Sequence, residues 1–296
     1  MNTADSTHRT PIPAQDLVAL VAVAVIWGVN NVAAKITVDH LPPLLTTGLR
    51  FLLTAIVLAP FLRVPKGGWR ALALVVLFTG PLHFGVQNLG LAAAHDLSPM
   101  IIAMQLWIPA SVLFAALVLK ERVDGWRLGG IGLAFAGVAA MVFDPNVFAQ
   151  IGALTLIALA ASCYGLGAVL VRRAPALHPL TFQAWISLAC AGVMLPASGI
   201  FESGQAAAMR AAPWPVWACL IFGGLASSVV ANALMFRLVQ RYEVSRTTPF
   251  LFLSPVVGIG LGGLVLGDRL TVQILLGGVL TLMGVAVVAM AERLRR

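Results

Sequence analysis

The sequence predicts an all-α membrane protein, and three features support this: its composition, the length of its apolar runs and an internal repeat. Of its 296 residues, 60% are hydrophobic and 10% are charged, which is far outside the range of soluble proteins. The apolar residues fall in runs of about 18 to 25, long enough to cross about 30 Å of hydrocarbon as helices. The runs are also too long and too evenly apolar to be the strands of an outer-membrane barrel.

Ten such runs follow one another, joined by short connections that often hold proline, glycine or charge. The one long connection, residues 202–213, has the composition of a solvated loop. Residues 1–15 are a loose polar tail without the apolar core of a secretory signal. The predicted transmembrane spans are 17–38, 43–62, 69–91, 97–119, 126–143, 149–171, 179–200, 213–236, 247–267 and 271–291.

The internal repeat divides the chain into two five-helix units. Residues 98–122 recur in altered form at 245–269, and each copy holds a proline near its middle and ends in an acidic residue followed by arginine. At the same spacing of 147 residues, two glycines of the helix that follows each copy also align. We therefore predict a first repeat at 16–146, a second at 147–291 and a short basic tail at 292–296.

Basic residues collect on one side of the predicted membrane. With the N-terminus in the cytoplasm, 15 of the 19 Lys and Arg residues lie on the cytoplasmic side, so the positive-inside rule places both termini there. Among the remainder, Lys35 and Arg50 are interpreted as side chains near helix ends that extend toward the membrane surface. Because five helices is an odd number, the second repeat is inverted relative to the first, a design that recurs in transporters.

Polar and aromatic side chains within the apolar spans predict a cavity between the two repeats. Each costs free energy in lipid unless it faces water, substrate or another helix. Amides, one imidazole and aromatic rings suit a zwitterion with an apolar or aromatic side chain. The candidate substrate-binding residues are Trp27, Asn30, His83, Gln87, Gln105, Trp107, Tyr164, Asn232 and Phe236. The candidate helix breaks, with a gating role, are Pro109 and Pro255.

Structural interpretations stand beside these assignments. Helical spacing puts Trp27, Asn30 and Asn31 on one face of the first helix, yet amides in membrane helices often bridge neighbouring helices instead of binding substrate. His83 is also a candidate proton site. Glycine-rich stretches such as Gly129-Gly130 and Gly258 to Gly263 are interpreted as close contacts between helices rather than ligand loops.

The acidic residues indicate how transport is driven. Every Asp and Glu lies in a tail, in a loop or at the end of a span, whereas proton- and sodium-driven carriers usually need a carboxylate within the membrane. The sequence therefore favours a facilitative exporter, with proton coupling through His83 as the other mechanism. The alternative function is proton-coupled export of multiple drugs or lipophilic cations, for which aromatic rings also serve through cation–π contacts.

Other classes of function fit the sequence poorly. The net charge of +8 is carried by short basic clusters between spans, which leaves no folded face for nucleic acid. The five histidines are scattered, and the sequence holds no H-E-x-x-H, G-x-S-x-G or Walker-type motif. We therefore predict neither an enzyme nor an ATP-driven pump, and we expect no cofactor and no bound metal.

Several of these features together resemble a known family. The Trp27-Gly28 pair, the proline-broken fourth and ninth helices, and the acidic-Arg endings followed by glycine-spaced helices are similar to the EamA-type branch of the drug/metabolite transporter superfamily. Within that branch the chain resembles the YddG-like exporters of aromatic amino acids. The resemblance spans about residues 17–291. It implies a ten-helix exporter of the bacterial inner membrane, with a central cavity lined mainly by helices 1, 3, 4, 6, 8 and 9. We also expect the protein to be a monomer.

Overall fold

The computed structural model describes residues 12–174, 177–242, 247 and 250–290. Within these ranges the regular structure is helical, and eight helices are long and apolar enough to cross a membrane, with two shorter apolar helices among them. The prediction of an all-helical, multi-pass membrane protein is confirmed. In chain order the apolar helices are α1 Ala14–His40, α2 Pro43–Phe61, α3 Trp69–Ala93, α4 Ser98–Leu119, α5 Gly125–Met141 (short), α6 Ile151–Arg173, α7 Pro179–Phe201, α8 Trp214–Arg241, α9 Leu253–Leu266 (short) and α10 Val272–Met290.

The connection between α7 and α8 differs from its prediction as a plain solvated loop. It contains a short, largely exposed helix, Gln205–Ala211, entered through Gly204 at φ +75°. Glu202 before it reaches back to the start of α2, where its carboxylate accepts hydrogen bonds from the backbone N–H of Leu44 at 2.7 Å and Leu45 at 3.0 Å. The residue before α2 is Pro42, which has no side-chain acceptor, so Glu202 satisfies these helix-end donors.

Four helices depart from regular α-geometry within the apolar region. Helix α3 makes a π-helical turn at Phe78–Leu82 around Pro81, and α8 holds a longer π-helical stretch at Gly223–Ala231. A third π-helical turn, Gly262–Leu266, ends α9, whereas α4 is interrupted by a turn before Trp107. Such irregularities free backbone groups from the helical ladder and are common at functional sites.

Glycines allow α5 and α10 to pack with their backbones in close contact. A Cβ added at Gly130 would stand 2.9 Å from the Gly284 carbonyl oxygen, and one at Gly137 would stand 2.6 Å from the Gly277 carbonyl oxygen. The prediction of a close helix contact is therefore confirmed for Gly130 and wrong for Gly129, which faces open space on another side of the helix. Small residues at such crossings bring helix backbones together where lipid gives no hydrophobic driving force.

Carboxylate side chains link helix ends through hydrogen bonds and ion pairs. Asp16 in the first turn of α1 accepts a hydrogen bond of 2.6 Å from the Tyr242 hydroxyl and pairs with Arg237 and Arg241 at 3.5 Å. Asp268, beyond α9, accepts hydrogen bonds from the first N–H groups of α4 and from the Ser98 hydroxyl. These carboxylates therefore have structural partners at helix ends, in agreement with their predicted positions.

Candidate functional site

Four aromatic rings from three helices form a continuous series through the protein, which we call the ring ladder: Phe84, His83, Tyr164 and Trp107. The ring centroids of His83 and Phe84 are 4.5 Å apart, those of His83 and Tyr164 are 4.8 Å apart, and those of Tyr164 and Trp107 are 5.2 Å apart. These tilted and edge-to-face contacts are the arrangements that aromatic rings prefer. The structure thus brings together His83, Tyr164 and Trp107 from the predicted set.

Helix irregularities lie next to two members of the ring ladder. His83 follows the π-helical turn around Pro81 in α3, and Trp107 restarts α4 after its interruption. The Nδ1 atom of His83 lies 2.9 Å from the Ala160 carbonyl oxygen on α6. Because a carbonyl oxygen can only accept a hydrogen bond, Nδ1 carries the proton and is the donor.

Arg50 occupies a different place from the one predicted. It lies midway along the helical stretch Pro43–Leu58 and is 9% exposed, so the prediction of a side chain extending from a helix end is wrong. Its Nη2 donates to the Ser228 hydroxyl oxygen at 3.1 Å, and its guanidinium carbon lies 5.4 Å from the Phe51 ring centroid and 5.6 Å from that of Phe84. Arg50 therefore adjoins one end of the ring ladder.

A small cavity lies beside Arg50, between α1, α2, α3 and α8. Its volume is about 10 Å³, close to the least that holds one water molecule. A Cβ added at Gly223 would stand 3.1 Å from Asn30 Oδ1 and 3.3 Å from Arg50 Nε. Both of these atoms are buried and lack a hydrogen-bond partner within the described chain. The residues that line the cavity are Asn30, Ala34, Thr37, Thr46, Arg50, Asn88, Cys219, Leu220 and Gly223.

The two adjacent asparagines of α1 face different neighbours. Asn30 faces this cavity, whereas Asn31 Nδ2 lies 3.2 Å from the position of a Cβ on Gly258 in α9. The predicted common face is therefore divided between α8 on one side and α9 on the other. Trp27 is half-buried, and the adjacent Gly28 packs against Ser254 and Val257.

Three other predicted residues make described contacts with groups outside the ring ladder. Asn232 Nδ2 donates to the Ser228 carbonyl oxygen at 3.1 Å and to Gln183 Oε1 at 3.3 Å, so it links α8 to α7. Phe236 packs its ring against His178, with centroids 5.3 Å apart. Gln105 Nε2 turns back to the Ile101 carbonyl oxygen of its own helix at 3.5 Å.

The remaining predicted residues are Gln87 and the two prolines. Gln87 is half-buried on α3, one residue before Asn88, which donates to the Thr47 hydroxyl at 2.8 Å and lines the cavity. Pro109 is buried three residues after the interruption of α4. Pro255 is buried near the start of α9, three residues after a turn at Phe252.

Three features of this region lie outside the predicted set: Arg50, Phe84 and Gly223. Within the predicted span 43–62, the eighth residue is an arginine, and this depth alone signals a charge inside the membrane. The position of Phe84 beside His83 gives no such signal, since single phenylalanines are common in apolar helices. The role of Gly223 depends on which helix it faces, and sequence spacing does not determine that.

Comparison with known proteins identifies the family to which the chain is similar. The family described as the EamA-like transporter family matches residues 16–143 and, separately, residues 151–290. A protein of Escherichia coli strain K12 named "Probable amino-acid metabolite efflux pump" is 26% identical over 294 residues, covering 95% of this chain and 97% of its own. The protein of the same name from Salmonella typhimurium is 27% identical over 286 residues, covering 93% and 94%.

Two further similarities extend the comparison. The "Uncharacterized inner membrane transporter YedA" of Escherichia coli strain K12 is 27% identical over 259 residues, covering 83% of this chain and 82% of its own. A solved structure, described as the crystal structure of a protein, covers 96% of this chain and all of its own with a TM-score of 0.61. At 19% identity that likeness shows the fold alone.

Proposed function

The chain belongs to the EamA-like transporter family of the drug/metabolite transporter superfamily, and we propose that it exports aromatic and hydrophobic amino acids and related small metabolites across the bacterial inner membrane. Relatives with the name of amino-acid metabolite efflux pumps match nearly its full length. A relative named as an inner membrane transporter supports the location. The ring ladder is the observation that carries the proposal for aromatic substrates.

The ring ladder suits the side chain of an aromatic amino acid. Its rings present edges and faces to one another at 4.5 to 5.2 Å, and a substrate ring contacts such groups in the same geometries. Within the predicted set we assign substrate contact to Trp107, Tyr164, His83 and Asn30, with Trp27 and Gln87 at the margins. Gln105, Asn232 and Phe236 act through helix packing, because their described contacts are with neighbouring protein groups.

We further propose transport by alternating access between two inverted repeats, each of five spans. Gly28 packs against the carbonyl oxygen of Ser254 and the side chain of Val257, whereas Gly165 packs against the carbonyl oxygen of Trp107 and the Cβ of Ala110. Gly28 and Gly165 are aligned at a spacing of 137 residues, and both partner pairs are aligned at 147. Aligned residues thus make reciprocal contacts, which is what a pseudo-two-fold axis requires.

The packing of α5 on α10 supports the same relation. Gly130 aligns with Gly277 and Gly137 aligns with Gly284, yet the contacts run from Gly130 to Gly284 and from Gly137 to Gly277. Reciprocal contact between aligned residues is again the signature of a two-fold relation. The two separate matches to one family description also agree with a duplicated unit. We retain the proposals that both termini are cytoplasmic and that the protein acts as a monomer.

A facilitative mechanism is supported by the partners of the charged groups. Described carboxylates at the ends of spans have partners within the protein; Asp16 bonds to Tyr242 and Asp268 bonds to Ser98, for example. None of the described carboxylates contacts the ring ladder. His83 donates its Nδ1 proton to the Ala160 carbonyl oxygen, so that proton is held in a hydrogen bond within the protein. Proton coupling through His83 is the competing mechanism.

The buried charge of Arg50 disfavours the alternative function, export of lipophilic cations. Aromatic rings bind cations well, but Arg50 already places a positive charge over Phe84 at one end of the ring ladder. A second cation there would be repelled, and repulsion is strong where the surroundings are apolar. An anionic or zwitterionic substrate fits this field better.

The proposal is tested by uptake into liposomes that contain the purified protein. Labelled phenylalanine and a labelled lipophilic cation are compared for wild type and Trp107→Ala, with Trp126→Ala, an exposed tryptophan at the start of α5, as the matched control. We expect saturable phenylalanine flux that Trp107→Ala reduces and Trp126→Ala does not. Flux of the cation without flux of any amino acid would move the function to multidrug export.

A further inference from the structure

A buried guanidinium without an acidic partner lies at the end of the ring ladder. Arg50 is 9% exposed, and a charge so placed within a membrane helix is costly unless it is compensated. Its described contacts are one hydroxyl, that of Ser228, and the faces of Phe51 and Phe84. Among the described residues no carboxylate forms an ion pair with it, and Nε has no hydrogen-bond acceptor. The charge of the Arg50 guanidinium therefore has no acidic partner among the described residues, and its Nε–H donor is unused.

Asn30 supplies the opposite kind of unused group at the same point. Its Oδ1 is a buried acceptor that receives no hydrogen bond from the described chain. Both Oδ1 of Asn30 and Nε of Arg50 border the space where a Cβ of residue 223 would stand, at 3.1 and 3.3 Å. That space is open because residue 223 is glycine. Buried polar groups are normally paired, and a ligand that both accepts and donates a hydrogen bond would satisfy this donor and this acceptor together.

We propose that Arg50 and Asn30 bind the charged head of an α-amino acid. The carboxylate accepts a hydrogen bond from Arg50 Nε–H and neutralises the guanidinium, and the ammonium group donates to Asn30 Oδ1. This assignment rests on the proposed function and names the chemistry that it recognises, a free α-carboxylate together with a free α-amine. The carboxylate is the stronger determinant, because it alone compensates the buried charge.

The ring ladder fixes where the substrate side chain goes. The Phe84 ring lies against both the guanidinium of Arg50 and the ring of His83, so the site for the head is continuous with the ring ladder. In the conformation described here the cavity has room for about one water molecule, so α8 and the other helices that line it must move apart before an amino acid enters. The π-helical stretch of α8 begins at Gly223, where that movement is needed.

The first test uses competitors that lack one part of the head. Unlabelled phenylalanine, 3-phenylpropionate, which lacks the amine, and 2-phenylethylamine, which lacks the carboxylate, compete with labelled phenylalanine in liposomes containing the full-length protein. We expect 2-phenylethylamine to compete about tenfold or more weakly than phenylalanine, since it leaves Arg50 uncompensated. We expect 3-phenylpropionate to lie between them.

Two variants tie this preference to the residues. Arg50→Gln removes the charge, so phenylalanine and 2-phenylethylamine should then compete equally, at a KM for phenylalanine raised about tenfold or more. Gly223→Ala fills the space between Asn30 and Arg50 and should also raise KM. The matched control is Gly192→Ala on α7, where an added Cβ meets open space and KM should not change.

The outcomes separate this inference from the function on which it rests. Phenylalanine flux in wild type with equal inhibition by 2-phenylethylamine overturns the inference alone, as does an unchanged KM in both Arg50→Gln and Gly223→Ala. No amino-acid flux in wild type overturns the proposed function and the inference together. The competition in wild type needs no variant, so it decides the matter even where Arg50→Gln fails to fold.

Discussion

Tyr164 is the central member of the ring ladder, because its ring contacts both His83 and Trp107. We expect Tyr164→Phe to keep transport near the wild-type level, since the ring remains. Tyr164→Leu should raise the KM for phenylalanine roughly three- to tenfold, which corresponds to about 0.5–1.5 kcal/mol for an aromatic pair. Initial-rate measurements in liposomes check this. Equal KM values for the two variants would show that the ring itself makes no contact with substrate.

Asn232 contributes to helix packing, and its substitution should separate stability from transport. Asn232→Leu removes the hydrogen bonds to Gln183 and Ser228, which should lower stability by about 0.6–2 kcal/mol and lower the melting temperature in detergent. The KM for phenylalanine should stay close to that of wild type. A raised KM with an unchanged melting temperature would contradict this assignment and show that Asn232 contacts the substrate.

At the residue scale, the sequence predicts the kinds of group in the site better than it predicts their neighbours. His83, Tyr164 and Trp107 are found together because unusual side chains in apolar helices are costly unless they have a function. The prediction for Arg50 is wrong because long basic side chains in membrane helices commonly reach the membrane surface. Only the position of Arg50 midway along α2 indicates that it does not. Whether Asn30 faces α8 or α9 depends on packing, which helical periodicity alone does not fix.

At the scale of helices, the glycine contacts of α5 with α10 should be sensitive to a single methyl group. Gly137→Ala places a Cβ 2.6 Å from the Gly277 carbonyl oxygen, so the helices must separate. We expect a loss of about 1–3 kcal/mol in stability, measured as a lower melting temperature. Gly129→Ala lies on the same helix in open space and serves as the control. Equal melting temperatures for the two variants would contradict the close packing described here.

Helix positions are well predicted from the sequence because each needs only a long apolar run between polar connections. The predicted span 69–91, for example, corresponds to α3 at Trp69–Ala93. Irregularities within the helices are predicted less well. Proline marks the turn in α3 and the interruption before Pro109, but the π-helical stretch of α8 contains no proline. The helix at Gln205–Ala211 is seven residues long and buries none of them, so the sequence shows no apolar period there that would set it apart from a loop.

At the scale of the whole molecule, the proposed orientation is tested by labelling from outside the cell. Gly67 and Ser203 are both exposed, in the connections before α3 and after α7. With both termini in the cytoplasm, Ser203→Cys should react with a membrane-impermeant maleimide in intact cells, and Gly67→Cys should react only after the cells are opened. A variant with the native cysteines replaced serves as background. The reverse pattern would invert the topology.

The overall arrangement of the two repeats follows from the sequence, because a repeated unit with an odd number of spans must be inverted in its second copy. The reciprocal contacts of Gly28 and Gly165 support the inverted pairing that the aligned residues predict. The width of the cavity does not follow from the sequence, since it depends on the conformation in which the two halves rest. The cavity of about 10 Å³ leaves room for about one water molecule in the conformation described here.

The most direct test of facilitative amino-acid exchange by alternating access is counterflow. Liposomes containing the protein are loaded with unlabelled phenylalanine and diluted into a trace of labelled phenylalanine, with no ion gradient and with a protonophore present. We predict that labelled phenylalanine accumulates transiently inside the liposomes above its equilibrium level. Each carrier that takes an unlabelled molecule out can bring a labelled molecule in on its return. Accumulation only when a proton gradient is imposed, or no accumulation beside active flux, would contradict a facilitative carrier.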